Sequence, residues 1–290
     1  MSCRCVLGLL AIGFPAISSS ASLNPETLRA WDSYIQRVES RTQPTLGGQS
    51  QFLWIDKEPQ QAERVRRGEI LVAAEVGSNG LQTVPHGLIH DWIGAAFIPG
   101  VTLPQVFAVV DDYGRYNEFY KPSVVEAEAL VCKDPQSEGE ERFRVRYAQK
   151  MLFVSEFVDT EYKVRRVRLD DRRWYSISQS TNIEEIRDQS KANENGSKAN
   201  QSDTSGDGGS RYLWRIYCIT RYEERDGGVY MEQENIALSR GIPVSLRWLV
   251  EPAIRQLSKD LTVTSLRQTR EAVGSAAGHP VVPPIVKSGG

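Results

Sequence analysis

From Glu141 to Lys150 the side chains alternate without interruption: Phe143, Val145 and Tyr147 point to one side of an extended chain, and Arg142, Arg144 and Arg146 to the other. A strand with one charged face belongs in an antiparallel sheet that has water on that side. Its apolar face then needs cover, from a second sheet or from a helix. The rest of the chain has to supply both partner strands and that cover.

Partner strands are plentiful. Gly68–Val76 and His86–Ile98 are apolar runs, the second stopped by Pro99-Gly100, and further strands read at Leu152–Val164 and Arg173–Ile183. Arg211–Glu224 and Val229–Ser239 form a hairpin around Arg225-Asp226-Gly227-Gly228. A two-residue loop places Trp214, Ile216, Cys218, Thr220 and Tyr222 on one face with Met231, Gln233, Asn235 and Ala237, and sets Arg221 against Glu232 or Glu234 on the other. A three-residue loop would exchange the faces of the second strand. The two-residue register is preferred because it pairs arginine with glutamate.

The cover reads as a helix from Pro243 to about Val273. Leu246, Leu249, Val250, Ala253, Ile254, Leu257 and Leu261 fall on one stripe, which Thr264 and Gln268 continue as polar residues. Pro252 lies inside the run and predicts a bend or a split. Two shorter helical segments precede the strand that opened the argument. Thr102 with Gln105 makes a capping-box pattern ahead of Val106, Phe107 and Val110, and a second turn or helix covers Tyr113–Tyr120.

The flanks read differently. Met1–Ala21, with Arg4, an apolar run from Val6 to Ile17 and small residues at its end, has the form of a secretory leader, so the chain is expected to be exported, to a periplasm or outside the cell. Cys3 and Cys5 leave with that leader. Cys132 and Cys218 remain; a pairing stays open, but two cysteines make no framework and read as separate thiols. Residues 22–67 read as a helix from Asn24-Pro25-Glu26 to about Arg41, with Trp31 and Tyr34 on its packing side, followed by a linker. The main domain spans 68–273, interrupted by a disordered insertion at 187–210 that is dense in Ser, Asn, Gly and Asp, and followed by a disordered tail at 274–290. With 35 Lys and Arg against 37 Asp and Glu, the net charge of -2 excludes a chain-wide field for a polyanion, and no nucleic acid partner is expected.

An early strand, two short helices, a run of antiparallel strands and one long C-terminal helix resemble the START and polyketide-cyclase-like superfamily (SRPBCC), the helix-grip fold. The local match lies at Val109-Val110-Asp111-Asp112-Tyr113-Gly114-Arg115-Tyr116-Asn117-Glu118-Phe119-Tyr120-Lys121-Pro122, an acid followed by spaced aromatics and a proline. Asn117 departs from the pattern, since many members carry proline there. The resemblance covers roughly His86–Val273 and implies an α+β fold, a curved antiparallel sheet gripping a long C-terminal helix, with a cavity between them for an apolar ligand such as a lipid, sterol, quinone or polyketide. The candidate lining residues on the sheet are Phe143, Val145, Tyr147, Trp214, Ile216, Thr220, Tyr222, Gln233 and Asn235. Trp92, Phe107 and Tyr116 join them from the early strand and short helices, and Leu249, Leu257 and Leu261 from the last helix. Periodicity alone does not separate a hollow interior from a filled one.

Catalytic signals are thin. The chain has no nucleophile elbow, no glycine-rich strand-to-helix loop and no helix with paired histidines, so no catalytic residue, metal or cofactor is expected. His86 and His90, four apart on one strand and near Asp91, read as an edge decoration, with a proton relay or metal pair as the alternative. A cyclase or aromatase using Tyr147, Thr220, Tyr222 or Asn235 in the same pocket is the alternative to a simple ligand holder, and a filled structural domain is the third reading. Arg165, Arg166, Arg168, Arg172 and Arg173 make a basic cluster around Asp170 and Asp171, which reads as a solvated turn and, as the weaker alternative, as a place of transient membrane contact. Oligomeric state is not legible.

Overall fold

The computed structural model describes residues 23–48, 50–131, 140–151, 154–187 and 212–278. The leader, Cys132, the insertion beyond Arg187 and the tail beyond Gly278 lie outside them. Among the described residues nine strands form one antiparallel sheet: β1 Leu71–Ala74, β2 Leu81–Val84, β3 Gly87–Pro99, β4 Val124–Val131, β5 Glu141–Met151, β6 Val154–Arg168, β7 Arg173–Arg187, β8 Leu213–Arg225 and β9 Gly228–Arg240. Their order is β1-β3-β9-β8-β7-β6-β5-β4, with β2 also paired to β3. Consecutive hairpins account for β4 to β9, and the chain reaches the far edge from β3 through two short helices, α3 Leu103–Val110 and α4 Tyr116–Phe119. The capping box forms as the sequence predicts, with Thr102 N donating to Gln105 Oε1 at 2.9 Å.

The β8–β9 turn is the two-residue Asp226-Gly227, with φ of 55° and 77°. These left-handed values are those of the turn whose twist suits a hairpin, and glycine adopts them without strain. Arg221 consequently opposes Glu232, at 2.9 Å from Nη1 to Oε1. The register slips once, between Leu213 and Arg215. The extra residue of that bulge turns Trp214 to the convex side, which corrects its expected place on the concave face.

The long helix α5, Arg247–Ala276, lies on the concave face. Pro243 sits ahead of it, before a short 3-10 turn at Val244–Leu246, and the helix runs on through Pro252 without a break. It also extends three residues into the tail that the sequence assigned to disorder. Its apolar stripe does not bury as read: Leu249 and Leu261 are 59% and 51% exposed, while Ile254, Thr262, Leu266, Thr269 and Val273 are buried. The reason is where the helix touches the sheet. A Cβ on Gly94 of β3 would come within 2.8 Å of Leu266 and 3.0 Å of Thr262, so only a glycine permits this approach, and it seats the second half of α5. The first half stands off the sheet.

The stretch after the first helix, read as a linker, carries structure of its own. Helix α1, Pro25–Leu46, is capped by Asn24, whose side chain accepts from Glu26 N at 2.8 Å, and it continues five residues past the expected end. A second helix, α2 Pro59–Arg66, follows a 3-10 turn at Trp54–Lys57. Both pack on the convex side: Trp31, Tyr34 and Val38 meet Ile89, Trp214, Tyr217, Ile236 and Leu238, and Phe52, Leu53, Ile55 and Val65 meet Ala95, Phe97 and Tyr230. The sheet is thus covered on both faces around β3, β8 and β9, while Arg142 and Arg144 of β5 stay in water. No described helix is long and apolar enough to cross a membrane.

Candidate functional site

Because the first half of α5 stands off the sheet, a cavity of about 430 Å³ opens between them, within the roughly 300–1,000 Å³ usual for small-molecule sites. Strand alternation supplies its floor. Thr220 and Tyr222 of β8 pair with Gln233 and Met231 of β9, and Cys218 pairs with Asn235, so these side chains share the concave face. Trp92, Tyr116, Phe143, Tyr147, Ile216, Thr220, Tyr222, Gln233 and Asn235 all line the cavity, and Leu257 and Leu261 line it from α5.

Phe107, Val145, Trp214 and Leu249 do not line it. Phe107 fills the seam between α3 and the sheet, edge-on to Trp174 at 5.2 Å and to Tyr222 at 5.4 Å. Val145 is wholly buried against neighbours such as Val124 and Val164. Trp214 is turned away by the bulge, and Leu249 faces outward. The sequence reading also missed part of the wall. Tyr113 stacks on Phe143 at 4.3 Å, and Phe143 stacks on Tyr162 at 5.1 Å, so one continuous aromatic surface spans α4's approach, β5 and β6. Tyr162 had a signal: Val158, Thr160, Tyr162 and Val164 alternate with Asp159, Glu161 and Lys163.

Charge is kept out of this space. Arg166 enters the wall but is held by both carboxylate oxygens of Asp111 and lies over the Phe107 ring at 4.6 Å. His90 bridges sheet and helix, with Nε2 at 2.7 Å from Ser239 Oγ and Nδ1 at 3.1 Å from Ser258 Oγ. Burial pulls its pKa down to about 4, which keeps the ring neutral. Burial likewise pushes the Cys218 thiol up to about 11 and the Tyr120 hydroxyl up to about 12.

The convex side is the reverse. Asp91, Glu232 and Glu234 are buried beside Arg41 and Arg221. Tyr34 donates to Asp91 Oδ2 at 2.6 Å, Arg41 reaches Asp91 at 3.2 Å and also pairs with Glu234, and Trp54 N donates to Glu232 at 2.5 Å. Burial raises the Glu232 carboxyl to about 7 against the opposing pull of Arg221, and burial with the Glu234 charge raises Asp91. The relay suggested by His86, His90 and Asp91 is not built. His86 sits in the β2–β3 turn at φ 56°, ahead of the strand, while His90 and Asp91 alternate to opposite faces. In the basic cluster, Arg168 pairs with Asp171, and Arg173 with Asp170 at 2.7 Å, as a solvated turn would have them.

No family model and no curated protein sequence matches the chain. Among solved structures it is similar to a STAR-related lipid transfer protein from Xanthomonas axonopodis, at 12% identity and a TM-score of 0.43 over 70% of this chain and 98% of that one. It is also similar to human STARD10, at 9% identity and a TM-score of 0.40 over 74% of this chain and 79% of that one. The Zhui aromatase/cyclase of a Streptomyces species gives 10% identity and 0.40 over 66% of this chain and 99% of that one.

Proposed function

We propose that this chain is an exported, soluble holder of one hydrophobic small molecule, bound between the concave face and α5. One observation carries the reading: the cavity of about 430 Å³ is walled by stacked aromatic and apolar side chains, with polar groups interspersed that can orient a guest. A filled structural domain would place side chains in that volume, since protein interiors close-pack. Export rests on the form of the leader at Met1–Ala21. The test is organic extraction of the purified protein followed by mass spectrometry, beside the same extraction of Ser178→Trp, which fills the floor. One apolar compound per chain in the first and none in the second supports the reading. An empty extract together with no saturable uptake of hydrophobic probes sinks it.

A further inference from the structure

The side chains around the cavity narrow its guest to one chemistry, an inference that rests on the ligand-holding reading above. Charge is the first constraint. Among the described lining residues only Arg166 and His90 can carry positive charge, and none is a carboxylate. Arg166 is already neutralised by Asp111, and His90 lies between two serine hydroxyls. A guest carboxylate, phosphate or ammonium would enter unpaired and lose its hydration without return.

Hydrogen-bonding capacity is the second constraint. In register across the floor run Ser176, Thr220 and Gln233, and in the next row Ser178, Cys218 and Asn235. Above them Ser258, Thr262, Ser265 and Thr269 step along one face of α5. The roof hydroxyls direct their hydrogens into their own helix: Ser258 to Ile254 O at 3.0 Å, Thr262 to Ser258 O at 3.3 Å and Thr269 to Ser265 O at 3.0 Å. Their oxygens also meet His90 Nδ1 at 3.1 Å, Asn235 Nδ2 at 3.2 Å and the Tyr120 hydroxyl at 3.3 Å, so these three hydroxyls are engaged within the protein. On the floor, Gln233 Oε1 is buried without a hydrogen-bond partner; of the other unpartnered atoms on the lining, the Thr160 and Tyr212 hydroxyls can donate or accept, and Trp92 Nε1 and Arg166 Nε can only donate. Gln233 Oε1, able only to accept, calls for a donor on the ligand. The third constraint is shape, since the Tyr113–Phe143–Tyr162 stack presents flat faces that suit a ring better than a chain.

We propose that the cavity selects an uncharged ring compound bearing a hydroxyl group, whose O–H donates to Gln233 Oε1, and that it rejects fatty acids, phospholipids and amines. Three fluorescent probes of one skeleton test this on the full exported protein: anthracenemethanol, anthracenecarboxylate and methylanthracene, titrated at pH 7. The alcohol is expected to bind at least tenfold tighter than the carboxylate, and more tightly than the hydrocarbon. Gln233→Leu is expected to shrink the alcohol's advantage over the hydrocarbon by about fivefold, the scale of one buried hydrogen bond. The ranking of the three probes is read on the unaltered protein, so it stands whether or not the variant folds. A carboxylate bound as tightly as the alcohol overturns the proposal, as does an undiminished alcohol preference in Gln233→Leu. Binding of the hydrocarbon in those cases leaves the cavity reading intact; failure of all three probes, with an empty extract, removes both.

Discussion

On β8 and β9, Thr220, Gln233 and Asn235 look into open space, while one residue along the same strands Arg221, Glu232 and Glu234 are sealed beneath α1 and the turn that follows it. The concave side is hollow and neutral; the convex side is packed and ionic. Buried ions tolerate the loss of a partner poorly, because the survivor is left desolvated and unpaired. A neutral hollow tolerates added volume, because nothing has to move. The same two strands thus offer one face suited to receiving a guest and one suited to holding a fixed brace.

The contrast is easiest to break at Arg221. Arg221→Ala leaves Glu232 without its cation, while Glu234 keeps Arg41, and is expected to cost about 3–5 kcal/mol in urea unfolding. A loss below about 1 kcal/mol would mean that water reaches this cluster. A matched pair of insertions comes next. Ala95→Phe enters the packed convex side, where Ala95 is 1% exposed, and is expected to cost about 1–3 kcal/mol. Ser178→Phe, placed in the hollow, is expected to cost clearly less while displacing the guest. Equal costs for the two would show that the faces are packed alike.

Acidity gives a smaller effect of defined sign. The folded Glu232 carboxyl is raised to about 7, above its unfolded value, so its contribution is fully present below the unfolded pKa and is lost as pH rises through 7. Melting temperature is therefore expected to climb as pH falls from 8 to 6, by the equivalent of about 1 kcal/mol from this group. Asp91 acts in the same direction, and His90, whose pKa burial lowers to about 4, acts in the opposite one, so the climb attributable to Glu232 is read as the difference from Glu232→Gln. Glu232→Gln should flatten the climb. A melting temperature that falls over that range would contradict the buried-acid account. The smallest change is at the entrance to α1. Asn24→Ala removes the cap on Glu26 N and is expected to cost about 0.5–1 kcal/mol without altering guest affinity.

Seven of the nine described strands and the β8–β9 register were legible because alternation and a turn sequence are local signals, while β2 and β4 were not read. So were α3, with its capping box, and the side of Phe143 and Tyr147. What escaped depends on contacts between distant segments. Nothing near Trp214 in the sequence announces a bulge, and the burial of Glu232 and Glu234 is decided by Arg41 and Trp54, well over a hundred positions upstream. The stripe of α5 misled for a related reason. Leu249 and Leu261 have helical spacing, but which side of the helix is covered depends on Gly94, where the backbone of β3 lets Thr262 and Leu266 come close. Tyr162 was within reach, since its strand alternates as cleanly as the one beside it.

The Asp226-Gly227 turn has a reach beyond its own two residues. Parity is conserved along an extended chain, so the count of residues at that corner decides which member of each neighbouring pair, Gln233 or Glu234, Asn235 or Glu234, looks into the cavity. One residue inserted there and carried through β9 would swap amides for carboxylates on the concave face. The charge of the cavity floor is thus written at a hairpin tip roughly 20 Å away.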